Sequence, residues 1–179
     1  MSASKVQSPS LSAEDFKAVF RGHPGGVSLI TADAGDGPVA LTASSVASIS
    51  VDPPLLVFSI SAVSSAAEAL MRATSLVVHS LDAQDIKVAK LGATSGIDRF
   101  AQKQTWSRLD TGEPVFDGVR AWVRCAVVDQ IQAGTSTVII ARALQSHIER
   151  DSEHGQPSDG LVYHNRVWHR LDANSRIDN

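Results

Sequence analysis

Nine small hydroxyl side chains fall between residues 42 and 65: Thr42, Ser44, Ser45, Ser48, Ser50, Ser59, Ser61, Ser64 and Ser65. Short hydroxyls beside exposed backbone amides suit a flat, polar ligand that carries a phosphate. Serines also serve as caps and turn residues through local hydrogen bonds, and the cluster alone favours that use over a ligand site. Ser64 and Ser65 stand ahead of a run of helix formers, residues 66–72, where unpaired amides would attract a phosphate.

Other chemistries find less support. No Gly-x-Gly-x-x-Gly joins a strand to a helix, so a nicotinamide cofactor would have to bind without a Rossmann turn. A Walker lysine loop is missing too, and Gly92-Ala93-Thr94-Ser95-Gly96 has the wrong spacing for a nucleophile elbow. The six histidines, His23, His79, His147, His154, His164 and His169, include no i,i+4 pair and no accompanying cysteine cluster, which leaves a metal only a site assembled from distant residues. Cys125 is the single cysteine and sits in the apolar run Val123-Arg124-Cys125-Ala126-Val127, so it reads as a buried thiol with no intrachain disulfide.

A chain of 179 residues, 43% hydrophobic and 20% charged, suits one globular domain. The net charge of −3 and scattered Lys and Arg residues supply no positive field for nucleic acid. Residues 1–10 lack the apolar core of a signal peptide, and no apolar run is long enough to span a bilayer, so the expected location is cytoplasmic, away from membranes. The expected division is a flexible segment over residues 1–11, one domain over 12–172 and a tail over 173–179.

The elements that must position the hydroxyls follow from patterning. Ser10 or Ser12 can cap a helix running to Arg21, with Phe16, Val19 and Phe20 at helical spacing. Residues 27–31 and 39–42 flank a turn signal and predict a hairpin. Residues 46–51 and 55–60 are strands separated by Asp52-Pro53-Pro54, since proline cannot donate to a ladder. Ser65 and Glu68 have the form of a capping box for a helix over 66–72. A strand over 75–81 follows, then a helix capped by Asp82 and closed by Gly92. Residues 93–103 form a loop of functional length that could act as a lid. Strands over 106–109, 120–131, 137–147 and 161–171 complete the chain, with a polar loop between Arg150 and Gly160. About seven strands, three helices and short connections favour an antiparallel, closed or nearly closed barrel.

Six pieces in this order resemble the short-chain flavin reductase family: residues 16–21, Gly25-Gly26-Val27, Leu41-Thr42-Ala43-Ser44-Ser45, residues 48–55 around the double proline, Asp98-Arg99-Phe100, and Leu161-Val162-Tyr163-His164. The resemblance spans residues 16–171. It implies a mainly β fold with short helices, an FMN-binding split β-barrel of Greek-key, antiparallel type, forming a homodimer with flavin in a groove at the interface. It also implies NAD(P)H-dependent flavin reduction, with FMN the expected flavin, FAD possible, and NADH or NADPH as hydride donor. A separate flavin-dependent monooxygenase is the implied partner.

By the same resemblance Thr42, Ala43, Ser44 and Ser45 would line the isoalloxazine, and Ser59 and Ser61 would approach the ribityl chain. Ser64, Ser65 and Arg99 would meet the phosphate, Phe100 would form an apolar wall, and His164 would face the flavin as a positioning group for the reacting rings. The chain departs from the family pattern at Ala62-Val63, where a fuller hydroxyl run is expected, and at Gly134-Thr135-Ser136, where Gly-Asp-His is expected. Losing that imidazole would cost nicotinamide binding on the order of 1 to 3 kcal/mol. A flavin-binding split barrel without nicotinamide activity is therefore the alternative, and a module that has lost flavin is a third reading.

Overall fold

The computed structural model describes residues 10–150 and 158–177. His154 and most of the loop expected between Arg150 and Gly160 lie outside them, as do the first nine residues. Helix α1 (Ala13–Arg21) starts at Ser12, whose Oγ accepts the Asp15 N–H. Its apolar residues stay outside the core, Phe16, Val19 and Phe20 being 54–69% exposed. The two-residue strand β1 (Gly25–Gly26) leads into β2 (Ser28–Asp33) and β3 (Pro38–Ala43), the expected hairpin. Asp33 Oδ1 closes its turn by accepting the Gly35 and Gly37 N–H groups.

Next come β4 (Ala47–Ser50), β5 (Leu55–Ser61), α2 (Ala67–Arg72), β6 (Ser75–Ser80) and α3 (Ile86–Ala93). Short strands β7 (Trp106–Arg108) and β8 (Pro114–Phe116) precede two long ones, β9 (Ala121–Ala133) and β10 (Ser136–Ile148), and the chain ends in β11 (Gly160–His164) and β12 (Val167–Leu171). The seven-stranded antiparallel sheet has the order β3-β2-β6-β9-β10-β5-β4. Strand β3 therefore lies at one edge and β4 at the other, yet only residues 44–46 connect them. Laid flat, seven strands would separate the edges by about 29 Å, at about 4.8 Å per spacing. Four Cα steps from Ala43 to Ala47 reach at most about 15 Å. The sheet must therefore curl until its edges approach, and the split in the resulting barrel falls at the hydroxyl-rich segment.

The curl encloses Ile30, Phe58, Ile60, Leu76, Val78, Cys125, Ile139 and Ala141, with Leu70 of α2 packed among them. Strand period places Ser59 and Ser61 on the opposite, exposed face of β5. Strand β2 is buried on both faces, because Leu29 belongs to a second cluster with Ala40, Ala89, Phe100, Phe116 and Leu161 outside the barrel. Burial pushes the Cys125 thiol up to about 12.

Several sequence expectations need correction. The Ser65–Glu68 capping box does not form: the Ser64 Oγ accepts the Ala66 N–H, and α2 begins one residue later, at Ala67, without a side-chain cap. Asp82 does cap, but it caps a 3₁₀ turn over Ala83–Asp85 that precedes α3. The strands number twelve among the described residues: β8 was not anticipated, and residues 161–171 form a hairpin, β11 with β12, turning at Asn165 and Arg166.

Gly92 does not end its helix. A Cβ there would lie 2.2 Å from Leu29 Cδ1 and 2.3 Å from Thr42 Oγ1, so the glycine lets α3 press against β2 and β3. Neither neighbour can yield easily, since Leu29 is buried and the Thr42 Oγ1 donates to the Ala89 carbonyl at 2.7 Å. Overpacking costs about 1 to 3 kcal/mol and alanine's helix preference offsets about 1. Gly92→Ala should lower the urea midpoint by the equivalent of about 1 kcal/mol net; an unchanged or raised midpoint would show that this contact relaxes freely.

Candidate functional site

An edge strand presents alternate N–H and C=O groups with no strand to pair them, and β3 is such a strand. Two recesses lie along it. Near its start, residues 38–40 face Ser65, Ala66 and the loop over residues 96–100 across about 290 Å³. Near its end, Thr42, Ala43 and Ser44 meet Val27, Ala93, Tyr163 and Trp168 around about 210 Å³. The strand thus links a polar end to a flatter, partly aromatic one.

Arg99 and Asp98 both line the polar end. The Arg99 Nη2 donates to the Thr94 carbonyl at 2.7 Å, while its Nε is buried and lacks a partner among the described residues. A buried donor left unsatisfied is costly, and Arg99 lines both this recess and a neighbouring one beside Gln102, Gln104 and Asp117. Phe100 lines the same recess but is chiefly a packing residue, with ring centroids 5.0 Å from Trp106 and 5.3 Å from Phe116. Its N–H donates to Asp98 Oδ1 and its carbonyl accepts the Trp106 Nε1–H, which fixes the loop that carries Arg99.

The other sequence-derived candidates are placed unevenly. Ser65, Arg99 and Phe100 share the polar recess, and Thr42, Ala43 and Ser44 share the aromatic one. Ser44 comes close to the chain at Gly25, where a Cβ would lie 2.8 Å from the serine Cβ. The Ser45 Oγ accepts the Ser59 N–H at 3.1 Å, fastening the β3–β4 connection to β5. Ser61 is exposed on β5 opposite Ser136, and Ser64 is taken up in the turn before α2.

His164 is not brought to either recess. It alternates with Tyr163 along β11 and so faces the other side of the β11–β12 ribbon, its ring 5.6 Å from that of His169.

Four residues of the aromatic recess were not named as site residues from the sequence, Val27, Ala93, Tyr163 and Trp168, although Val27 and Tyr163 lie in pieces of the family pattern. Tyr163 pairs directly with Trp168 across the hairpin, their rings 4.8 Å apart. Recognising the Asn165-Arg166 turn would have revealed the pair, but these residues sit at φ 47° and 64°, where asparagine is common and arginine is not.

Among the described residues no helix is long and apolar enough to cross a membrane. The family profile of the flavin reductase like domain matches residues 20–172. An NADH:FMN oxidoreductase of Rhodococcus qingshengii is 39% identical over 170 residues, covering 95% of this chain and 88% of the relative. A flavin reductase domain protein from Arthrobacter sp. FB24 superposes with a TM-score of 0.84 at 24% identity, covering 94% of this chain and 99% of the other. The flavin reductase component of a bacterial two-component tryptophan halogenase gives a TM-score of 0.76 at 29% identity, covering 89% and 98%. With the barrel split at the hydroxyl-rich segment and the sequence profile matched over most of its length, the chain belongs to the flavin reductase like family.

Proposed function

We propose that the protein is an NADH-dependent FMN oxidoreductase that supplies reduced flavin to a separate monooxygenase component. The observation that carries this reading is the open edge of β3 between two recesses, one of them lined by Arg99 and Ser65, in a chain 39% identical to an NADH:FMN oxidoreductase. The domain over residues 12–172 acts as a cytoplasmic homodimer, with residues 1–11 and 173–179 outside it.

The residues fit a flavin mononucleotide. Arg99 and Ser65 hold the phosphate, with Ser64 shaping the turn beside it. The outward backbone groups of Thr42, Ala43 and Ser44, on the free edge of β3, meet the polar rim of the ring, and Ser45 fixes that segment through Ser59. Ser59 and Ser61 approach the ribityl chain from the exposed face of β5, and Tyr163 and Trp168 wall the ring end. Flavin held there would supply a two-electron acceptor for hydride from the reduced nicotinamide. No side chain need donate or remove a proton in that transfer, so the protein's contribution is to hold two flat rings in contact and keep other geometries out.

An anaerobic titration tests this. FMN should bind saturably, and NADH should bleach its absorbance. Arg99→Gln should raise the FMN Kd about 10- to 100-fold, the worth of one charged hydrogen bond to phosphate. Saturable FMN binding without bleaching by NADH or NADPH would instead establish the flavoprotein without nicotinamide activity, the reading favoured by Ser136 at the position where histidine is expected.

A further inference from the structure

A third recess of about 260 Å³ adjoins the aromatic one through Ser44 and Tyr163, which line both. Its other walls include Lys17 and Arg21 of α1, His23 just beyond the helix, and Arg166 at the tip of the β11–β12 turn. Among the described residues no carboxylate lines it. In a chain of net charge −3, three exposed cations lining one recess, with no acidic residue among its described walls, favour an anion there. Among the described residues the side chains of Lys17, Arg21 and Arg166 have no hydrogen-bond or ion-pair partner.

The chain is arranged to hold this cluster. The Asn165 N–H donates to the Arg21 carbonyl at 3.1 Å, fastening the hairpin tip to the end of α1. Arg166 keeps a φ of 64°, a left-handed conformation that side-chain-bearing residues seldom adopt. Phe20 lines the same recess, is 55% exposed and lies 4.6 Å from the Phe16 ring. Cations beside an exposed aromatic face match a nucleotide better than a bare inorganic anion.

We propose that this recess binds the pyrophosphate of the reduced pyridine dinucleotide, with the adenine against Phe20 and the nicotinamide directed past Ser44 and Tyr163 to the ring end of the flavin site. The inference rests on the reductase reading above. It also separates two phosphate-bearing ligands in space: the flavin phosphate belongs with Arg99 near the start of β3, and the dinucleotide pyrophosphate with Lys17, Arg21 and Arg166 beyond its end.

The test compares NADH with 1-benzyl-1,4-dihydronicotinamide, a hydride donor without phosphate or adenine, in the full chain and in the double variant Lys17→Gln, Arg166→Asn. Asparagine tolerates the left-handed turn, so the charge is removed while the hairpin is kept. The expected result is a KM for NADH raised at least tenfold with kcat within twofold, a weaker salt dependence of that KM, and an unchanged KM for the benzyl donor. FMN affinity should stay within twofold. An NADH KM within twofold of the original would overturn the proposal, as would an equal loss with both donors, which would mark a structural effect. A selective rise in FMN Kd would also overturn it by assigning the recess to the flavin phosphate. If the unaltered protein oxidises neither donor, the reductase reading itself fails; normal turnover with unaltered KM in the variant sinks only this inference.

Discussion

Arg150→Met should cost about 3 to 5 kcal/mol of folding free energy, seen as a large drop in the urea midpoint at neutral pH. Asp82 is fully buried and Asp85 nearly so, and both depend on this one guanidinium. Its Nε lies 3.0 Å from Asp82 Oδ2, and its Nη2 lies 3.1 Å from Asp82 Oδ1 and 2.6 Å from Asp85 Oδ1. The Nη1 donates to the Gly118 carbonyl. Burial works against the charge on Asp82, but the hydrogen bonds from Arg150 and from the Gln84 N–H outweigh it and hold the carboxyl below its ordinary range. Removing the cation leaves two acidic groups in a poor solvent, and that penalty sets the size of the effect. Adding Asp82→Asn to the variant should recover part of the loss by removing one stranded charge. A loss below about 1 kcal/mol for Arg150→Met would mean that water reaches the pair, as at exposed ion pairs. The cluster also bears on the site: Asp82 bridges to Gly160, and the Ala83 N–H donates to the Asp159 carbonyl, so this corner anchors the ribbon that carries Tyr163 and Trp168.

Stability should also fall by about 3 kcal/mol between pH 6.5 and pH 4 because of His79. The ring is completely buried, its Nε2 accepting the Phe116 N–H at 3.0 Å and its Nδ1 donating to the Leu29 carbonyl at 3.0 Å. A second ring proton would point at the Phe116 N–H, donor against donor. Burial therefore lowers the ring to about 4, only partly opposed by the Leu29 carbonyl. The unfolded chain takes up a proton near 6.5 and the folded one near 4, so this stabilisation is complete above 6.5, declines as the pH falls and is gone below 4. The carboxyls of Asp33, Asp82 and Glu113, all held below their ordinary values, add their losses only at the acid end of that range and beyond. Urea unfolding at half-unit pH steps should show a slope approaching about 1.4 kcal/mol per unit near pH 5. His79→Gln, less stable at neutral pH, should lack that slope; the same slope in the variant would assign it to other groups.

Local signals were enough for the hairpin at residues 28–43, for the strand break at Asp52-Pro53-Pro54 and for a serine cap on α1, though not for the choice of Ser12 over Ser10, since each depends on residues only a few positions apart. The antiparallel, curled sheet was legible for another reason: short connections between apolar strands leave few antiparallel arrangements. Gly92 misled because a glycine near a helix end ordinarily marks a stop, whereas here its lack of a Cβ serves a contact with Thr42, 50 residues earlier in the chain. The ligand recesses were half legible. Thr42, Ser44, Ser65 and Arg99 could be named from the family pattern, but the orphaned Arg99 Nε and the partnership of Tyr163 with Trp168 arise only when distant segments meet. His164 shows the same limit from the other side, since one step along β11 separates a residue that faces the recess from one that turns away.

An enzyme that releases reduced flavin in air works beside a source of peroxide, because dihydroflavin readily gives electrons to oxygen. Peroxide attacks sulfur as the thiolate. At Cys125, walled in by Ile30, Leu76 and Ile139 and with its pKa raised to about 12, almost no thiolate exists at neutral pH. The one sulfhydryl of the chain is thereby kept out of reach of the oxidant that its own chemistry would create.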